Sequence, residues 1–258
     1  MNIFPNLLFF LLGAIIGSFL NVCIYRLPRE KSVVTPGSSC THCEAPIPFY
    51  DNIPIVSFLI LRGKCRRCAA AISPQYVAVE LITALLYLAL FNVYGLSIEL
   101  AVALLFVSTL IVISFIDLEF KIIPDILSLG GLVAGAVLCF FRPAFGYLDA
   151  LLGIVLGGGV LWAIASGYEL LRKREGMGGG DIKLLAMIGA FCGIKGVLFS
   201  LVFGSLLGTL VGIPVMLIKH EDTKYAIPFG PFLSFGAVFY VLAGNRVIYA
   251  FLNFIAPQ

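Results

Sequence analysis

This sequence predicts an all-α polytopic membrane protein, with about eight transmembrane helices and a small zinc-ribbon-like loop domain in the cytoplasm. Three observations carry that expectation. The 258-residue chain is 60% hydrophobic and only 12% charged. Its mean hydropathy of +1.06 is outside the range of soluble domains. Its apolar residues fall into long runs, and one polar loop holds two Cys-x-x-Cys pairs.

The apolar runs are Phe4–Tyr25, Val77–Tyr94, Ile98–Ile116, Ile126–Phe141, Gly146–Leu171, Ile182–Cys192, Gly196–Ile218 and Pro228–Ile255. Most approach the length needed to span hydrocarbon, but Ile182–Cys192 is too short to cross alone and reads as a half-helix. The first run lacks a basic n-region and a small-residue cleavage site, so it is expected to be a retained span. In chain order the expected organisation is a first helix over 1–25, a cysteine loop over 26–76 and a membrane-embedded core over 77–258.

Orientation follows the basic residues. Arg26, Arg29, Lys31, Arg62, Lys64, Arg66, Arg67, Lys121, Arg172, Lys173, Arg174, Lys183, Lys219 and Lys224 fall in loops on one side, leaving only Arg142, Lys195 and Arg246 of the 17 Lys and Arg for the other. The 26–76 loop, the 117–125 turn, the glycine stretch at 176–180 and the 219–227 loop are therefore expected in the cytoplasm. Glycines at four-residue spacing (Gly13/Gly17, Gly131/Gly135, Gly153/Gly157 and Gly204/Gly208/Gly212) suit close helix packing in lipid and need no chemistry.

Two places carry chemistry. The first is the loop with Cys40-Thr-His-Cys43 and Cys65-Arg-Arg-Cys68, pairs separated by 21 residues. Four thiolates so spaced suit tetrahedral, structural zinc, which would also supply folding energy to a loop too small for a core of its own. Two disulfides are the alternative, disfavoured by a cytoplasmic location. Glu80 follows inside the next apolar run, where an ionisable residue is functional by default.

The second is Gly176-Met-Gly-Gly-Gly-Asp181-Ile-Lys183, lying between long apolar segments. Alone, Asp181 reads as a helix N-cap, and Asp125 after Pro124 reads the same way. Asp117, however, ends another span on the same side. Two carboxylates that converge in a poorly solvated site tend to share one proton, so one can activate water while the other polarises a carbonyl. That is aspartic-peptidase chemistry. A proton-coupled transporter using the same aspartates, or a membrane-anchored zinc-ribbon adaptor without activity, stays open on the residues alone.

The chain resembles the type IV prepilin peptidases, the bifunctional leader peptidase/N-methyltransferases of pilus and type II secretion systems. The likeness rests on Gly17-Ser-Phe-Leu-Asn-Val22 with Tyr25-Arg-Leu-Pro28, the two Cys-x-x-Cys pairs with Asn52-Ile-Pro54 between them, and Leu61-Arg-Gly-Lys-Cys-Arg66. It continues through Glu80-Leu81, Asp117 with Ile123-Pro-Asp125, Gly178-Gly-Gly-Asp-Ile-Lys-Leu184 and Ile227-Pro-Phe-Gly-Pro-Phe232. Gln75-Tyr-Val77 departs from the Arg-Tyr-Pro of many members.

The resemblance implies a GxGD-type intramembrane aspartic peptidase of the bacterial plasma (inner) membrane, with Asp117 and Asp181 catalytic and Gly178, Gly180, Lys183 and Asp125 supporting. It implies prepilin and pseudopilin substrates cut after a glycine on the cytoplasmic side. It also implies N-methylation of the new terminus with S-adenosylmethionine as the donor. Glu80 and the 26–76 loop are the candidates for the donor site, and Glu44, Asp51 and Asp222 for contacts with the basic leader. The lipid bilayer is the other expected partner, and no feature points to nucleic acid.

Overall fold

The computed structural model of the chain describes residues 3–143, 145–173, 178–219, 228–244, 246–248 and 253, with side chains of 216–219 outside that set. Among the described residues the secondary structure is helical, apart from two isolated β-bridges, Ser39 with Pro46 and Lys64 with Ala71. The α-helices are α1 (Ile3–Arg26), α2 (Val56–Ile60), α3 (Pro74–Tyr94), α4 (Ile98–Phe120), α5 (Asp125–Leu138), α6 (Tyr147–Arg172), α7 (Gly179–Lys219) and α8 (Gly230–Phe239). Five of them, α1, α3, α4, α6 and α7, are long and apolar enough to cross a membrane; the segments Asp125–Phe141 and Gly230–Gly244 are apolar but shorter. The expected runs 182–192 and 196–218 form the two helical stretches of α7, which meet at a kink at Gly193, whose φ of 66° and ψ of −168° leave the helical region as only glycine does readily. The end of the last expected run lies outside the described residues.

The chain divides into two compact units, residues 1–112 and 113–258. In the first, α1 packs along α3. A Cβ on Gly13 would sit 2.7 Å from Ala84 Cα, and one on Gly17 would sit 2.7 Å from Glu80 Cα, so both glycines let the backbones approach. Phe9 stacks on Phe91 at 4.3 Å, and Tyr87 hydrogen-bonds Ser108 at 2.9 Å across to the first part of α4. The apolar faces of α1 and α3 away from this seam stay exposed, as lipid-facing helices require.

In the second unit, α7 is the hub against which α5, α6 and α8 pack. Gly153 and Gly189 bring α6 and α7 so close that a Cβ on either would collide with the other's backbone carbonyl. Leu184, Leu185, Met187, Ile188 and Ala190 of α7 are fully buried there. Arg142, at the far end of α5, donates to the Phe191 carbonyl at 2.7 Å, just before the bend. These contacts fix where the first turn of α7 stands.

Candidate active site

Asp117 lies in the last turn of α4, buried at 5% exposure. The helix stops at Phe120; Lys121 takes a positive φ of 56°, and the chain turns through Ile123 and Pro124 into α5. Pro124 favours this exit because it disfavours helical geometry in the residue before it. Asp125 opens α5 without capping it. Its carboxylate instead accepts from Lys183 Nζ at 2.7 Å, tying the start of α5 to the first turn of α7. Both partners are substantially exposed, so the pair contributes at most about 1 kcal/mol and acts as a register mark.

Helix α7 begins at Gly179, two residues before Asp181, so Asp181 sits in the first turn rather than at the cap. Its own N–H is bonded to the Gly178 carbonyl at 3.2 Å. Asp181 and Asp117 come together around Ile123, which lies against Gly180 on one side and against Gly230, the partner of Asp117, on the other. Ile123 is wedged beside them: a Cβ on Gly180 would lie 2.9 Å from Ile123 Cβ, and one on Gly230 would lie 3.2 Å from Ile123 Cδ1. Gly180 thus has a local steric reason, whereas Gly178 is open, with only the Asp181 carboxylate near it.

The sequence did not single out the partner of Asp117. Gly230, at the start of α8, donates its N–H to Asp117 Oδ2 at 3.0 Å. Helix starts leave N–H groups without partners, and here a carboxylate from 113 residues away takes one. The available signal was the Pro228-Phe-Gly-Pro231 turn, which marks a helix start but not what faces it. Asp222, a candidate leader contact, lies outside the described residues.

In the first unit, the four thiol sulfurs of Cys40, Cys43, Cys65 and Cys68 lie within 4.8 Å of one another and form no disulfide. Tetrahedral zinc with Zn–S bonds of about 2.3 Å places its sulfurs roughly 3.8 Å apart; Cys40 and Cys68 sulfurs are 3.8 Å apart. Backbone N–H groups of Cys43 and His42 hold the Cys40 thiol down to about 6, and those of Cys68 and Arg67 lower Cys65, which favours metal ligation by the first cysteine of each pair. The donor set fits a closed structural zinc site. Asp51 is not free to meet a leader: Arg66 Nε and a terminal nitrogen donate to its two oxygens at 2.7 and 2.6 Å, which lowers its carboxyl.

Glu80 is buried in α3. Its Oε2 accepts from the Ile55 N–H at 2.7 Å. Ile55 has φ 64° and ψ −50°, and the Val56 N–H closes on the Pro54 carbonyl at 2.6 Å, a γ-turn that a β-branched residue adopts only under strain.

Two sequence-family models match the chain: the Bacterial Peptidase A24 N-terminal domain over residues 11–94, and the Type IV leader peptidase family over residues 104–213. Curated relatives carry the name prepilin leader peptidase/N-methyltransferase. The one from Aeromonas hydrophila is 37% identical, over 96% of this chain and 94% of its own length. That from Pseudomonas putida is 36% identical, over 92% and 90%. That from Bacillus subtilis is 35% identical, over 93% and 94%. No solved structure matches significantly. With the described helices, the four-cysteine cluster and these relatives together, the chain belongs to the type IV leader peptidase family.

Proposed function

We propose that this protein removes the leader of prepilins and pseudopilins at the cytoplasmic face of the plasma membrane, with Asp117 and Asp181 as the catalytic pair. The observation that carries the reading is that the first turn of α7, with Asp181 next to Gly180, packs on the same Ile123 that lies against Gly230, whose N–H holds the buried Asp117 at the end of α4. One carboxylate takes a proton from water as that water attacks the scissile carbonyl. The other, protonated, donates to the carbonyl oxygen. Collapse of the tetrahedral intermediate breaks the C–N bond and returns a proton to the leaving amine, so no covalent enzyme intermediate forms. Gly230 fixes one oxygen of Asp117, Ile123 fills the space behind the pair, and Gly178 leaves the entrance open for an extended substrate backbone. Lys183 and Asp125 hold the two helix starts together beside it.

The names of the relatives support a second step on the same product, N-methylation of the new terminus, for which S-adenosylmethionine supplies an electrophilic methyl group when bound. Glu80, one of whose carboxylate oxygens accepts from the Ile55 N–H, stays the candidate for contact with that methyl donor. It is a support for the cysteine loop. Zinc at Cys40, Cys43, Cys65 and Cys68 would hold that loop closed.

Intact mass of a prepilin incubated with the purified protein in lipid tests both halves. The reading expects loss of the leader, and a further one-methyl gain only when S-adenosylmethionine is present. An unchanged prepilin mass refutes the peptidase reading, and leader loss without the methyl gain refutes the second step.

A further inference from the structure

The loop between α1 and α3 has an apolar face that neither activity uses. Phe49 is 86% exposed, Leu59 66% and Ile60 69%, and Val56 is exposed beside them. Val56, Leu59 and Ile60 stand at positions i, i+3 and i+4 of α2 and share one face, while Ser57 points inward and is buried. The Ser57 hydroxyl donates to the Tyr50 carbonyl at 3.0 Å and accepts from the Ile53 N–H at 3.0 Å, so the outward direction of α2 is set by its polar side.

The depth of this face follows from Glu80. That residue is six positions into α3, about 9 Å along the helix from Pro74 at roughly 1.5 Å per residue. Because Ile55 N–H bonds directly to Glu80 Oε2, the residue before α2 is drawn to that level of a membrane-crossing helix. Leu81, Ile82 and Leu85 of α3 are exposed there too, as a lipid-facing surface. Immediately after α2 come Arg62, Lys64, Arg66 and Arg67, all exposed, with Arg66 paired to Asp51. An apolar face followed by cations, held beside a spanning helix, is the pattern of a segment lying in the headgroup boundary.

We propose that residues 53–60 are an interfacial membrane anchor. Val56, Leu59 and Ile60 enter the boundary between headgroups and acyl chains, continuous with the lipid-facing side of α3, and Arg62, Lys64 and Arg67 meet anionic headgroups. Glu80 holds the strained turn at Ile55 that brings the segment down. The cysteine cluster is thereby kept at the membrane surface, where a substrate terminus emerging from the bilayer is accessible. The proposal requires only that the chain be membrane-embedded and stands independently of the peptidase reading.

The test uses the full chain with Trp162→Phe, which removes the only tryptophan, combined with Ile60→Trp or, separately, Leu59→Trp. The protein is reconstituted in vesicles of phosphatidylcholine and phosphatidylglycerol. Lipid brominated near the headgroup is expected to quench roughly half of the new emission or more, with aqueous iodide having little effect, since interfacial helices bury to about 5–10 Å. Free iodide access with no bromolipid quenching overturns the proposal. So does iodide access that disappears only when a prepilin is added, which would make the face a substrate dock. On the unaltered chain, a shallow photoactivatable lipid should label the peptide spanning 53–60; labelling confined to α1 and α3 overturns it as well.

Discussion

Asp117, the proposed catalytic residue of α4, is held by a backbone group. Its anchor is the Gly230 N–H at 3.0 Å, and its neighbour Ile123 is one that a small intrusion would displace. A methyl group at Gly230 would lie 2.7 Å from Asp117 Oδ2 and 3.2 Å from Ile123 Cδ1. Gly230→Ala is therefore expected to lower the turnover of leader removal by about 100-fold, the scale of a one-ångström misplacement, with a smaller change in KM. Steady-state kinetics on a reconstituted prepilin checks the split. By contrast, the exposed Lys183–Asp125 pair is worth little, and Lys183→Met should cost less than about tenfold in the same assay. The sequence marked Asp117, Asp181 and their glycines as candidates because charge beside membrane-depth backbone is rare. It did not reveal Gly230 as the partner of Asp117, because a backbone N–H has no side-chain signature and the contact joins segments far apart in the chain.

At the scale of elements, the cysteine loop was the most legible part. Each Cys-x-x-Cys pair is a local turn, so spacing alone announced that four sulfurs would converge. Cys40→Ser is expected to abolish stoichiometric zinc and to open the loop to limited proteolysis, measured by metal analysis and by the cleavage pattern. The Asp51–Arg66 pair adds a pH-sensitive fastening. Because the folded state lowers the Asp51 carboxyl, its contribution is present above the ordinary carboxylate range and is lost as pH falls through the lowered value. Protection of the loop amides, measured against their intrinsic exchange rate at each pH, should fall at acid pH in the wild type, and Asp51→Asn should show that lower protection already at neutral pH. The γ-turn at Ile55 was not legible, since nothing in Asn-Ile-Pro-Ile requires a positive φ. It exists because Glu80, 25 residues on, accepts that N–H. The kink at Gly193 was visible as a break between two apolar runs, and the non-helical backbone of that glycine separates the two helical stretches there.

Across the whole molecule, burial at the glycine contact of α6 and α7 positions the candidate site. Gly153→Val should destabilise the protein by at least about 1–3 kcal/mol, read as a lower melting temperature in detergent, because backbone cannot move aside as a side chain end can. Composition and the long apolar runs made the membrane class and the main spans readable; which helices touch depended on contacts between segments that periodicity cannot pair. The central claim is that Asp117 and Asp181 act together. Its most direct test is leader removal from a prepilin by the wild type, Asp117→Asn and Asp181→Asn, each reconstituted and shown to retain the wild-type melting temperature. Each single variant is predicted to leave the prepilin uncut, with loss of at least about 1,000-fold, as expected when groups act as a unit. Cleavage by either one at a rate near that of the wild type would contradict the pair.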